Sequence, residues 1–318
     1  MTQPHSIPVS IGIPTYNRAD GYLRQALQSA MAQTYMPLEI IVCDNCSSDN
    51  TESFVRSFAD ERIHYFRQPR NIDPNDNFNF CLQQAGGTYF LLLHDDDLID
   101  PTFVQACMTA AGGRTDIGII RAGTRLIDGA GNILDETPNR SEGLDLAAFF
   151  QQWFAGQTAL YFCSTLFNTR ELKSIGGFKS PNNLFQDVVV EFKLAASHGR
   201  GDVATVLASY RRHDANRGDA VRVAEWREDC IYLLNLMCSL APREAARIRR
   251  LGLPYFNRKC YRKASIINNP LERWAVYLNL YRNFERAVAP AWAIRRFDYS
   301  RLKRRIKTFI GRPSARYV

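Results

Sequence analysis

Across residues 9–97, short apolar runs alternate with helix-patterned stretches, and this alternation constrains the fold more than any other feature of the chain. VSIGIP (9–14), LEIIVCD (38–44), RIHYFRQ (62–68) and TYFLLLHDDD (88–97) read as strands, the last one buried and ending in acid. Between the first two, YLRQALQSAMAQ (22–33) repeats Leu23, Ala26, Leu27, Ala30 and Met31 on one helical face. Further helices are expected over 51–58, capped by Ser47 or Ser48 with Glu52 in the first turn, and over 76–85. Strands separated by helices imply an α/β fold with a mostly parallel central sheet, flanked by helices on both faces.

The order loosens after residue 100. Helices are expected at 101–111, near 145–155, near 169–175 and at 187–198, with short strands near 117–127 and at 160–167 and a polar stretch at 128–143. From about 220 the pattern is helical throughout, with Pro242, Pro254, Pro270 and Pro290 as breaks. Charge divides at a similar place. Residues 241–318 hold 20 Lys+Arg and 4 Asp+Glu, whereas residues 1–240 hold 20 and 28. The organisation expected is a catalytic domain over 1–220 followed by a helical, basic C-terminal region over 221–318. Within the former, a nucleotide-binding half covers about 7–110 and an acceptor-binding half about 111–220.

Composition (46% hydrophobic, 23% charged) is that of a globular protein. The N-terminus lacks the basic-then-apolar order of a signal peptide, and apolar stretches such as 231–241 are too short to span a bilayer, so a cytoplasmic protein is expected. Cys43 and Cys46 form a C-x-x-C without a second pair at zinc-site spacing. They read either as a redox or zinc pair or as small apolar residues of a reduced chain.

In open α/β sheets, ligands bind beyond the carboxyl ends of the strands. The polar residues here fall at those ends: Pro14-Thr15-Tyr16-Asn17-Arg18, Asp44-Asn45 and His94-Asp95-Asp96-Asp97. Three consecutive carboxylates repel one another unless a cation sits among them, and Mg²⁺ or Mn²⁺ with diphosphate oxygens suits such a set. The competing reading is a solvated turn capping the helix after Pro101. IPTYNR lacks the Gly-rich turn of a dinucleotide-binding oxidoreductase, and no Gly-rich basic loop of a nucleotidyltransferase is present.

These motifs, in order, are VSIGIPTYNR (9–18), EIIVCDNCSSDNT (39–51), RNIDPNDNFNFCLQQAGGTYFLLLHDDDLIDP (70–101), IGGF (175–178), Gln186-Asp187 and YRRHDANR (210–217). Together they resemble the inverting glycosyltransferases of family 2, over roughly residues 7–217. The resemblance implies the glycosyltransferase-A fold. It places Pro14, Thr15, Tyr16 and Arg18 around the nucleotide, with Tyr16 against the base and Asp44 accepting from a uracil- or thymine-like N–H. Asp96 becomes the direct metal ligand, with Asp95 and Asp97 on the metal's waters, the ribose or the sugar. His213 contacts the diphosphate or completes the metal site beside Asp97, with Arg211 nearby, and Asp187 is the catalytic base. Duller roles compete: Asp187 or Asp44 as a helix cap, Tyr16 as turn packing, His213 as a surface residue. The chain departs from the family pattern at Gln186, where an acid often precedes the base, at Asp73, usually Gly, and at His94, often Asp.

The chemistry implied is transfer of a sugar from a UDP- or dTDP-sugar to a hydroxyl of a glycan or lipid-linked acceptor, as in bacterial surface polysaccharide synthesis. A GDP-sugar donor stays open, and the alternatives are a non-catalytic sugar-nucleotide- or membrane-binding protein or a sugar-nucleotide nucleotidyltransferase. Segment 294–310 reads as a basic amphipathic helix that either meets an anionic membrane surface or packs on the catalytic domain. No recognised nucleic-acid module accompanies the charge, so no nucleic-acid partner is expected.

Overall fold

The computed structural model describes residues 6–19, 21–213 and 223–299. The chain divides into two compact units, Met1–Asn216 and Arg217–Val318.

The first unit is built on β1 (Val9–Thr15), β2 (Leu38–Asp44), β3 (Ile63–Arg67) and β4 (Tyr89–Leu92). β1 pairs in parallel with β2 and β4, and β2 with β3, which puts Thr15 directly opposite Asp44. The carboxyl ends of the parallel strands therefore open on the same edge. The apolar stretch after residue 88 leaves the sheet at Leu92, short of the acids. A buried ladder cannot hold three consecutive carboxylates, and residues 94–97 instead form a turn in which Asp97 N donates to His94 O at 3.1 Å.

Beyond β4 the sheet becomes mixed, in the order β3-β2-β1-β4-β8-β6-β9-β5, with β7 added on β6. β8 (Thr165–Asn168) runs antiparallel to β4 and to β6 (Ile119–Ile127), β9 (Arg200–Arg211) runs parallel to β6, and β5 (Leu98–Ile99) runs antiparallel to β9. The sequence pattern misses β7 (Ile133–Thr137), because this edge strand is exposed along most of its length and needs no apolar alternation. It also misses β9, whose polar start and register shifts against β6 hide the period.

Helices α1 (Leu23–Met31), α2 (Thr51–Arg56), α3 (Pro74–Gln84), α4 (Phe103–Ala111), α5 (Leu146–Phe154), α6 (Thr169–Ser174) and α7 (Gln186–His198) complete this unit. α1 buries Leu23, Ala26, Leu27 and Ala30 in the core. α3 starts where Asp73 accepts from Asn75 N at 2.9 Å, with Pro74 at the first helical position. Neither Ser47 nor Ser48 caps α2; Asp49 accepts from Thr51 N at 3.0 Å instead. The IGGF turn closes against α3. Gly177 has φ 74°, and a Cβ there would lie 2.2 Å from Asn79 Oδ1, the atom that accepts from Phe178 N at 2.8 Å. Gly177→Ala is expected to cost roughly 1–3 kcal/mol of stability, measurable by denaturant titration, because a left-handed backbone and a clash coincide.

Cys43 lies beside Cys81, not Cys46, and all eight cysteines are free. The C-x-x-C thus joins no metal-competent group among the described residues.

The second unit contains α8 (Val223–Leu240), α9 (Ala245–Ala264), α10 (Pro270–Asn283) and α11 (Pro290–Ala293). Pro270 and Pro290 start helices, as their missing N–H allows, but Pro254 lies inside α9 and does not break it. The unit's core includes Cys230 and Cys260, 3.8 Å apart, and Tyr261, whose hydroxyl donates to Val288 O at 2.7 Å. No helix of the described residues is long and apolar enough to cross a membrane.

Candidate donor and metal site

Two loops meet over the carboxyl ends of β1 and β2. Asn17, in left-handed conformation (φ 53°), accepts at Oδ1 from Ser48 N at 2.8 Å and donates its own N–H to Ser47 Oγ at 2.8 Å. Ala19 N donates to Asp49 Oδ2 at 3.2 Å. Loop 15–19 is thereby fastened to loop 44–51, with Tyr16 left 42% exposed above it and Arg18 half-buried. An exposed ring beside a polar loop is free to meet a planar ligand, whereas Pro14 is buried in β1.

Asp44 departs from the simple expectation. Its carboxylate is wholly buried, accepting at Oδ1 from Ser47 N (2.9 Å) and Oγ (2.5 Å) and at Oδ2 from the Tyr65 hydroxyl (2.5 Å). It organises the 44–47 turn and does not cap α2. A base N–H would reach it only by using the last acceptor position or by displacing Tyr65. Burial, and then the Asp44 carboxylate, pushes the Tyr65 phenol far above its ordinary range. Asn45 completes the corner by donating to Asn71 Oδ1 at 2.9 Å and to Ile72 O at 2.8 Å.

Residues 94–97 lie at the head of β4. Thr15 Oγ1 donates to Asp95 Oδ2 at 2.8 Å. Burial, with the charge of Asp96 added, pushes Asp95 up to about 6, against the opposing pull of Thr15 and Arg18. Asp97, 2% exposed, accepts from Arg211 N at 2.9 Å and is pushed well up by burial and then by Asp96. Asp96 Oδ2 meets His213 Nε2 at 2.8 Å.

Ligand atoms of His94, Asp96 and Asp97 all lie within 4.8 Å of one another. His94 sits between the rings of Phe78 (4.8 Å) and Phe162 (5.3 Å), and burial lowers its pKa, so the imidazole is neutral near pH 7. Its Nε2 is buried without a hydrogen-bond partner. Two carboxylates and a neutral imidazole whose Nε2 is unpartnered form a donor set that fits Mn²⁺ or Mg²⁺, and repulsion among the acids is what a cation would relieve. The sequence signal for His94 was only its departure from the family's Asp. His213 instead stands against Asp96 from outside this group.

Arg211 is 1% exposed, and its guanidinium faces protein. It donates to Asp96 O (2.8 Å), Asp128 O (3.2 Å) and Gln25 Oε1 (2.8 Å) and lies 4.3 Å over the Tyr22 ring. Arg211 thus holds the acidic turn in place from the end of β9, a positioning role in contrast to the donor contact the resemblance implies.

Asp187 lies in the first turn of α7, behind Phe185 at the N-cap, and its Oδ1 accepts from Val188 N at 2.8 Å. Asp187 thus satisfies a first-turn N–H from inside α7, while Phe185 holds the N-cap position. Tyr161 and Tyr210 stack at 4.3 Å with planes 7° apart. Burial raises both phenols, and the charges of Asp97 and Asp187 add to it in each. This pair thus lies within the electrostatic reach of both the acidic turn and Asp187. Its members come from β9 and from the segment before β8, which no local pattern joins.

A profile of glycosyl transferase family 2 matches residues 10–161, the span that builds this acidic corner. A glycosyltransferase of Rickettsia typhi is 30% identical over 213 residues, 65% of this chain and 64% of that protein. The GalNAc(5)-diNAcBac-PP-undecaprenol beta-1,3-glucosyltransferase of Campylobacter jejuni is 42% identical over 92 residues, 28% of this chain and 29% of that protein. The chain thus spans less than two thirds of the length of these relatives. The structure of S. aureus TarS 1-349 in complex with UDP-GlcNAc superposes with a TM-score of 0.68 at 17% identity, covering 89% of this chain and 82% of TarS 1-349. The architecture is that of the glycosyltransferase-A fold, a mixed α/β sheet flanked by helices. Residues 10–161 thus carry a glycosyl transferase family 2 domain, on a fold of the glycosyltransferase-A type.

Proposed function

We propose that the protein is an inverting glycosyltransferase that moves a sugar from a UDP- or dTDP-sugar to a hydroxyl of a glycan or lipid-linked acceptor. The observation that carries this reading is the cluster of His94, Asp96 and Asp97 at the head of β4, beside the loops that bear Tyr16 and Asp44. UDP-GlcNAc in the TarS complex and the undecaprenol-linked acceptor in the Campylobacter enzyme's name support the donor and acceptor classes. Synthesis of bacterial surface polysaccharide at the inner face of the cytoplasmic membrane is the setting this chemistry suits.

Asp96 and Asp97 with His94 would hold Mn²⁺ or Mg²⁺, and His213 would orient Asp96. When bound, the ion neutralises charge developing on the departing diphosphate. Tyr16 packs against the base, and Arg18, whose charge partly offsets the rise burial imposes on Asp95, faces the donor's charged side. Asp187 takes the acceptor's hydroxyl proton as that oxygen bonds to the anomeric carbon. The bond from that carbon to the diphosphate breaks on the opposite face, the nucleoside diphosphate leaves with the electron pair, and the anomeric centre inverts.

A thermal-shift titration tests the site. UDP or dTDP is expected to stabilise the protein only with Mn²⁺ present, by ~2.7 kcal/mol at a hundredfold excess over Kd. Burial and the charge of Asp96 push Asp95 up to about 6 and Asp97 well above its ordinary value, so protonation of the acidic turn opposes cation binding. The Mn²⁺-dependent shift should therefore grow as pH rises from about 5 to about 7.5. Absence of any nucleotide shift in folded protein would favour a non-catalytic reading.

A further inference from the structure

The second unit has an apolar stripe on its outside that the catalytic chemistry does not use. On α10, Leu271 (74% exposed), Trp274 (43%) and Leu278 (49%) follow one another at i, i+3 and i+7, with exposed Ala275 beside them and Arg282 at the end of the same face. The opposite face carries Arg273, Tyr277 and Leu280, which are buried in the unit. A helix that needed only to pack inward would show polar residues on its outer face. α10 instead carries an apolar stripe outward, flanked by exposed Glu272 and Asn279.

The surrounding charge identifies the occupant. Arg262, Arg282, Arg286, Arg295 and Arg296 are exposed in the same unit. Of the acids beyond residue 240, Asp298 pairs with Arg273 at 2.8 Å and accepts from Trp274 Nε1 at 3.0 Å, and Glu285 pairs with Arg249. Residues 241–318 thus carry a clear excess of positive charge, 20 Lys+Arg against 4 Asp+Glu. Residues 301–318 hold seven of these Lys+Arg and no acid. Exposed Leu and Trp in a row, set among arginines, match an anionic lipid surface, where the apolar side chains enter the headgroup boundary and the cations meet phosphate. A soluble acidic protein would satisfy the arginines but leave Leu271 and Leu278 without an apolar counterpart.

We infer that α10 docks on a membrane surface rich in anionic phospholipid, with Leu271, Trp274 and Leu278 inserting and the unit's arginines around them. This deepens the proposed function, resting on it for the lipid-linked acceptor, and assigns docking to α10; residues 300–310 of the basic segment 294–310 lie outside the described residues.

The test uses the full chain and vesicles of phosphatidylcholine alone or with phosphatidylglycerol. Sedimentation should show binding to the phosphatidylglycerol vesicles that salt weakens, and Trp fluorescence should shift to the blue. The double variant Leu271→Glu with Leu278→Glu should lower partitioning about tenfold or more, since two apolar anchors are lost, with the thermal midpoint and the Mn²⁺-dependent UDP shift unchanged. Equal partitioning of the double variant would overturn the assignment to α10. Absence of binding by the unaltered protein would overturn membrane docking, and so would a change of oligomeric state with no lipid effect, which would make the stripe a self-association surface. Because nucleotide binding is read separately, failure of docking leaves the transferase reading standing, and failure of the latter leaves docking measurable.

Discussion

Replacing Glu191 with alanine is expected to lower stability by roughly 3–5 kcal/mol, the usual cost of stripping one partner from a buried ion pair. Glu191 and Arg121 are both 0% exposed, and Arg121 Nε stands 3.0 Å from Glu191 Oε2, in ion-pair contact without the alignment of a hydrogen bond. Arg121 also donates to Thr158 Oγ1 at 3.0 Å, and Glu191 accepts from Thr165 Oγ1 at 3.0 Å. The pair thus binds β6, the segment before β8 and α7 to one another, and α7 carries Asp187. Without Glu191 the guanidinium remains buried with no counter-ion, and a fall in Tm of roughly 10 °C is expected. A loss below about 1 kcal/mol in denaturant titration would contradict the argument.

Burial raises the Glu191 pKa, with the Asp187 charge adding to the rise and Arg121 opposing it. Stability from a group whose folded pKa is raised is present in full below its ordinary value of 4.5 and is lost as pH rises through the raised one. Glu191→Gln, which cannot titrate, should flatten the dependence of Tm on pH across that window. An unchanged slope would assign the dependence to other groups.

The largest expected effect on activity comes from Asp187→Asn. Removal of a general base costs about 10²–10⁴-fold in rate, so transfer should fall by that factor while the Mn²⁺-dependent nucleotide shift persists. The substitution is nearly isosteric, and the amide oxygen can still accept from Val188 N, so α7 should keep its place. Transfer within tenfold of the unaltered protein would exclude Asp187 as the base. Loss of nucleotide binding together with activity would assign it to the donor site.

Much of this was legible in the sequence because its causes are local. β1, β2 and β4 are apolar runs that only a covered parallel sheet accommodates, and α1 displays its core face at helical spacing. The acids of 94–97 had to fall outside the sheet, because three carboxylates cannot be buried in a ladder, so the cation-competent corner is legible in the sequence. The basic character of the chain beyond residue 240 is likewise composition alone. The tertiary structure decided what depends on contacts between distant segments. Arg211 belongs to the acidic turn because β9 runs beside it, and Asp44 is enclosed because Tyr65 of the neighbouring strand donates to it. His94 joins the metal-competent group because Phe78 and Phe162 bury its ring and leave Nε2 unpartnered. The Arg121–Glu191 pair and the Tyr161–Tyr210 stack join residues 70 and 49 positions apart, and no period along the chain records such pairings. Periodicity reports which face of an element is buried; only packing decides which neighbour lies against it.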